Sequence, residues 1–264
     1  MYEEGLNKWG FPQKYKDIYI YPIKLIDEKY YGIMCKLLAY PKNSIQDKDI
    51  MKASYLSFVI NVLYQHEIEV QKESNIHNEI VDFLKYITKM DCHINYIFRK
   101  NSPKSMNDIK YTLIFSDEKG TEYKISENEF DEIREIILEQ NSLSLDYINE
   151  FNPDLEEKLN KIADKSPMTF EESLFAFCDA CGISINDING YTYYQFNKHY
   201  ERTRLRLEFE TFKPLEVSGQ IKLKTGEIKH WLSHMPKRTR YSDILIKKQD
   251  YVKNSDIFSV TKQK

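Results

Sequence analysis

Two pairs of residues in this chain have spacing that chemistry uses. Cys178-Asp-Ala-Cys181-Gly182 has knuckle spacing, and His230-Trp-Leu-Ser-His234 sets two imidazoles one helical turn apart. Two thiolates and two imidazoles would complete a tetrahedral zinc site. Against zinc, the pairs are far apart in the chain and a helical pattern leads into Cys178. The two cysteines therefore also read as small apolar core residues at a helix end. A thioredoxin-like redox pair needs a strand before the motif, and no strand pattern precedes it. The carboxylates Asp131, Glu132 and Glu135 read as the solvated face of a helix. His66, His77 and His93 stand singly, and Lys237, Arg238 and Arg240 read as a charged turn. No phosphate loop, dinucleotide fingerprint, nucleophile elbow or metalloprotease helix occurs. The expectation is a protein that is not an enzyme and carries no cofactor, with zinc as the alternative.

The elements that would position the cysteines run from Thr169 to Arg206. Thr169 and Glu172 fit a capping box. Phe170, Leu174, Phe177 and Cys178 repeat at helical spacing, which turns one apolar stripe inward. Gly182 can take the left-handed conformation that ends a helix. Ser184 and Asp187 start a short second helix that Gly190 ends. Thr192 opens a third, expected to reach about Phe212, with Tyr193, Phe196, Tyr200 and Leu207 on one side and Lys198, Arg202 and Arg206 on the other.

Tyr193, Tyr194, Phe196 and Tyr200, with Trp231 beyond them, are candidate protein-contact residues, because aromatic rings bury large area at little entropic cost. They equally fit an internal core with hydroxyls at its rim. The three-helix pattern also resembles a helix-turn-helix: small Cys178, the Gly182 turn and core Ile188 stand where that motif wants them. Its recognition helix would offer Asn186, Asp187 and Asn189, and Asp187 would be repelled by phosphate. Nucleic acid is therefore not the expected partner.

Upstream, residues 17–25 alternate like a strand, with Pro22 at an edge position. Residues 27–40 read as a helix. Residues 46–66 read as a longer helix, apolar on more than one face, and residues 76–90 as a third with Ile80, Phe83, Leu84 and Ile87 inward. The period then changes to two over residues 93–99, 110–115 and 121–125, with a hairpin turn at Asp117-Glu118-Lys119-Gly120. Residues 17–25 are expected to join these strands. Ser126 and Glu129 form another capping box, opening a helix to about Gln140 with Phe130, Ile133, Ile136 and Ile137 inward. Asn152 with Pro153 starts a further helix, and Gln220 to Trp231 reads as a short hairpin.

The expected fold class is α+β: N-terminal helices on a small antiparallel sheet over residues 1–145, then a mainly helical part with a short C-terminal hairpin over residues 146–264. The chain has 264 residues, 41% of them hydrophobic and 30% charged, enough for a large core or two domains. A net charge of −3 argues against indiscriminate binding to nucleic acid or membranes. Four cysteines make no disulfide framework, and no signal peptide or long apolar run is visible, so the expected setting is intracellular.

Five segments, in order, resemble a family of tail-morphogenesis proteins of phages and prophages of Gram-positive bacteria. They are WGFPQKYKDIYIYPIKL, SYLSFVINVL, ISENEFDEIREIILEQN, PMTFEESLFAFCDACGISINDI and GQIKLKTGEIKHWLSH. The family is similar to tail assembly chaperones. The resemblance implies a non-enzymatic protein that keeps another tail protein, such as the tape measure, soluble before assembly. It implies residence in the cytoplasm of the infected host cell. A virion component, baseplate or connector subunit, is the related alternative, and a helix-turn-helix regulator the unrelated one. The family brings no catalytic residues to carry over.

Overall fold

The computed structural model describes residues 4–40, 42, 50, 52–63, 76–99, 108–143, 169–219 and 230–233. After a short helix α1 (Glu4–Asn7), strands β1 (Gln13–Tyr15) and β2 (Ile18–Ile20) form a hairpin. The single strand expected over residues 17–25 is thus corrected. The chain reverses at Lys16, whose φ of 52° is left-handed, and Asp17 completes the turn. Beyond β2 the backbone is spent on other partners. Tyr21 N–H donates to Ile87 C=O (2.7 Å), and Ile23 N–H donates to Asn141 Oδ1 (3.0 Å). The hairpin is a separate two-stranded sheet and does not join the three-stranded one.

Helix α2 (Glu28–Leu37) follows a 3-10 turn and buries Met34 and Leu37. The long helix expected over residues 46–66 is interrupted in its described part. Ser54 adopts an extended conformation and its side chain accepts from Ser57 N–H, so a new helix starts there. α3 (Tyr55–Phe58) then widens into a π-helical stretch, Val59–Leu63. α4 (Ile76–Thr88) has Ile80, Phe83, Leu84 and Ile87 fully buried, as their spacing predicts.

β3 (Asp91–Phe98), β4 (Ile109–Ser116) and β5 (Glu122–Ser126) form an antiparallel sheet in the order β3-β4-β5. Gly120, φ 79°, supplies the positive φ of the β4–β5 turn. α5 (Glu127–Gln140) starts from the Ser126–Glu129 capping box and buries Phe130, Ile133, Ile136 and Ile137. α3 and α5 cover the face of β4 that carries Leu113 and Phe115, both at 0% exposure. Gln140 Nε2 donates to Ile20 C=O, so the far end of α5 holds the hairpin.

The C-terminal part is mainly helical: α6 (Phe170–Cys181), a 3-10 turn (Ile185–Ile188) and α7 (Tyr193–Val217). The fold class is α+β. One core cluster runs from Ile18 and Phe83 through Phe115 and Phe130 to Phe177, Tyr193 and Phe196. The boundary expected at 145/146, the helix at Asn152 and nearly all of the C-terminal hairpin lie outside the described residues.

Candidate functional site

α6 begins where the sequence says. Glu172 N–H donates to Thr169 Oγ1, and Thr169 N–H donates to the Glu172 carboxylate (2.7 Å). The Thr169 N–H, then the Thr169 hydroxyl, by donating to the Glu172 carboxylate, hold that carboxyl below its ordinary value. Gly182, φ 64°, ends the helix, and Ile183 N–H donates back to Cys178 C=O. Ser184 and Asp187 cap only a 3-10 turn, with Asp187 engaged by Ser184 N–H. The recognition helix of the helix-turn-helix reading is therefore a single turn. Arg206 donates to Ala180 C=O at the end of α6, so one member of the basic face braces the fold.

α7 starts from a third box, Thr192 with Gln195, and Gln195 Nε2 also donates to Lys8 C=O. Residues 23–25 pair with residues 191–193: Leu25 N–H donates to Tyr191 C=O and Tyr193 N–H to Ile23 C=O. The aromatic start of α7 is thereby fixed against the N-terminal half. Tyr193 stacks on Tyr31 of α2 with ring centroids 3.6 Å apart. Phe196 meets Phe170 and Phe177 edge-on at 5.4 and 5.6 Å.

Of the candidate contact residues, Tyr193 and Phe196 are each 1% exposed and belong to the core. Tyr194 is half-buried with Lys198 over its ring. Tyr200, also half-buried, stacks on Phe196 at 5.8 Å. Trp231 is half-buried beside α7, where Arg202 Nη1 donates to the carbonyls of Trp231 (2.6 Å) and Ser233 (2.7 Å). A cleft of about 420 Å³ lies between α2 and the α6–α7 pair, lined by Glu28, Lys29, Tyr31, Gly32, Phe170 and Tyr193. Among the described residues the buried Tyr193 hydroxyl has no hydrogen-bond partner. Burial, then the nearby Glu28 carboxylate, pushes its ionisation far up, so it stays a neutral phenol.

The zinc set does not converge in the described residues. Cys178 packs in the core, and burial pushes its thiol up. Cys181 is exposed, its Sγ 3.6 Å from Thr203 Oγ1. His230 packs edge-on to Phe209, and its Nδ1 accepts from Leu232 N–H. Thr203 and Phe209 are six residues apart on α7, about 9 Å at 1.5 Å per residue. His234 lies outside the described residues, among which no group of three or more metal-ligating side chains occurs.

What sequence reasoning missed is the last turn of α7 and the exposure of its second half. The helix runs to Val217, through Pro214, and not only to Phe212. No residue from 197 to 217 is buried. Leu207, Phe212 and Val217 are 44%, 43% and 78% exposed. Phe209, Pro214 and Val217 form the apolar wall of a second cleft, about 450 Å³, with Glu210 and Lys213 at its rim. The signal was present in the spacing Leu205, Phe209, Phe212, but alternation over residues 205–211 competed with it. Pro214 has no N–H to give Glu210 C=O, yet Ser218 N–H donates to Pro214 C=O and the last turn closes.

No helix of the described residues is long and apolar enough to cross a membrane. No curated protein and no solved structure matches the chain. Residues 160–236, which contain α6, α7 and the second cleft, match the model of the YomV second domain, a phage- and prophage-associated family whose YomV comes from a Bacillus subtilis prophage.

Proposed function

We propose that this chain is a non-enzymatic phage tail-assembly protein that holds another tail polypeptide, of which the tape-measure protein is the best candidate. One observation carries the reading: the last 21 residues of α7, positions 197–217, form a helix with no buried residue, and Leu207, Phe212 and Val217 stand out from it. A helix that is at most half-buried over that length gains less from packing within the chain than a core helix does, and a partner supplies the missing cover. Each large apolar side chain that a partner covers is worth about 1.5–3 kcal/mol. An amphipathic helix laid along such a surface fits helix-in-groove recognition. The phage association of residues 160–236 agrees with this partner class. The protein acts in the host cytoplasm, needs no cofactor, and engages neither membrane nor nucleic acid.

Co-expression with a phage tape-measure protein tests the proposal. The tape-measure protein is expected to become soluble and to co-purify, and Phe212→Glu is expected to abolish this without lowering the chain's own melting temperature. Failure of the wild type to solubilise or retain it would overturn the reading. Mass spectrometry of purified particles separates a chaperone, which is absent, from a virion subunit present at fixed stoichiometry.

A further inference from the structure

β3 is an edge strand that, among the described residues, pairs only with β4. Arg99 N–H donates to Asp108 C=O (2.6 Å), the residue opposite it when the register is extended by one. Bonded and non-bonded pairs alternate in an antiparallel ladder. The odd positions of β3 therefore bond to β4, and Cys92, Ile94, Tyr96 and Phe98 turn their N–H and C=O groups to the open edge. The edge is eight residues long and carries no proline or lysine. Tyr96, Ile97 and Phe98 are 61%, 68% and 51% exposed. The opposite edge is different: β5 has five residues, with Glu122 and Lys124 exposed on it. Charge and shortness are the usual guards of a sheet edge; β3 is long, and its charges, Asp91 and the Arg99 just beyond it, stand only at its ends.

We propose that β3 pairs with β3 of a second copy of this chain, antiparallel about a two-fold axis through Asn95. Charge complementarity selects this occupant. In that register Asp91 of each copy faces Arg99 of the other, at both ends of the ladder. Both side chains are well exposed, at 84% and 54%, and their partners within the chain, Lys85 for Asp91 (3.3 Å) and Glu127 for Arg99 (3.6 Å), would make each end of the ladder a cluster of four alternating charges. The same register sets Ile94 opposite Tyr96 and Cys92 opposite Phe98. Those even positions share the face that carries Leu113 and Phe115 on β4, so the apolar layer continues across the axis. The four outward-facing residues pair only with one another, which satisfies every free N–H and C=O of the edge. An isologous contact of this kind closes on itself and leaves no β3 edge free. The two three-stranded sheets become one, with β5 outermost on each side. The pairing uses neither cleft nor α7 and stands independently of the proposed function.

At the axis, Asn95 faces its own copy as a non-hydrogen-bonded pair, with Cα atoms about 4.5 Å apart, within disulfide range. Asn95→Cys, in a Cys181→Ser background, is therefore expected to oxidise to a covalent dimer, whereas Ile97→Cys, whose copy lies four residues further along, is not. Light scattering on the full chain is expected to give twice the 31.6 kDa chain mass, falling to the monomer value in Tyr96→Lys. Tyr96→Pro removes an outward N–H that β4 does not use, and serves as a second monomeric variant if the lysine perturbs folding. A monomer at every concentration overturns the proposal. So does a dimer that survives Tyr96→Lys, or one that crosslinks through position 97 instead of 95. A monomer whose β3 amides become protected only when another phage protein is added also overturns it, and gives the edge to that protein.

Discussion

Replacing Tyr193 by phenylalanine removes one oxygen from a fully buried aromatic position on α7. The ring is 1% exposed, stacked on Tyr31 at 3.6 Å and tilted against Phe170 at 5.3 Å. The hydroxyl is buried and has no hydrogen-bond partner among the described residues. An unmade buried hydrogen bond costs about 1–3 kcal/mol, so Tyr193→Phe should stabilise the fold, by about 1 kcal/mol at the low end of that range. With a urea m-value of about 2 kcal/mol per M, the midpoint moves up by about 0.5 M, and the melting temperature rises by about 2–4 °C for a chain of this size. Tyr193→Ala loses both ring contacts and leaves a cavity, so it should cost about 3–5 kcal/mol. Urea titrations followed by helical circular dichroism measure both. The opposite signs are the point of the comparison. A phenylalanine variant less stable than the wild type would mean that the hydroxyl has a partner, and the account of the cleft would fail.

Glu129 provides a pH test. Its hydrogen bond to Lys16, then those to Ser126, hold its carboxyl at about 2, against an ordinary 4.5. A folded value below the unfolded one stabilises above pH 4.5, and that contribution is lost as the pH falls toward about 2. Because the Lys16 pair lies at the surface, the effect is about 1 kcal/mol; Glu129→Gln should lose that much at pH 7 and flatten the acid limb of the stability curve. Thiol labelling should modify Cys181 well before Cys178 and Cys92, whose burial pushes their ionisation up, Cys92 to about 12. A chelator should leave the melting temperature unchanged; a fall of several degrees would restore a metal site. Ser54→Ala should cost about 1 kcal/mol in a denaturant titration, because Ser57 N–H loses its acceptor.

Local signals were the legible ones. The boxes at Ser126, Thr169 and Ser184 all formed, Gly182 took its left-handed conformation, and the stripe from Ile80 to Ile87 is buried to the last residue. Each depends on residues three or four apart, which sequence shows directly. The misses depend on distant partners. The run over residues 17–25 alternates like one strand, but Ile23 N–H goes to Asn141 and Tyr21 N–H to Ile87, 118 and 66 positions away, and no period announces such bonds. The apolar run through residues 54–63 hid the break at Ser54, since a hydroxyl that caps a helix looks like any serine inside one. For the aromatic residues of α7, the sequence supplied a stripe but not its covering. Tyr193 and Phe196 are covered by Tyr31, Phe170 and Phe177, and the uncovered stretch begins just beyond them.

Hydrogen exchange on the chain alone and with the co-expressed tape-measure protein tests the docking role of α7 most directly. The amides of residues 200–217 should exchange fast in the free chain and become the most protected segment in the complex, with little change at the central strand β4. Protection confined to other surfaces, or none at all on α7 in a stable complex, would contradict the account.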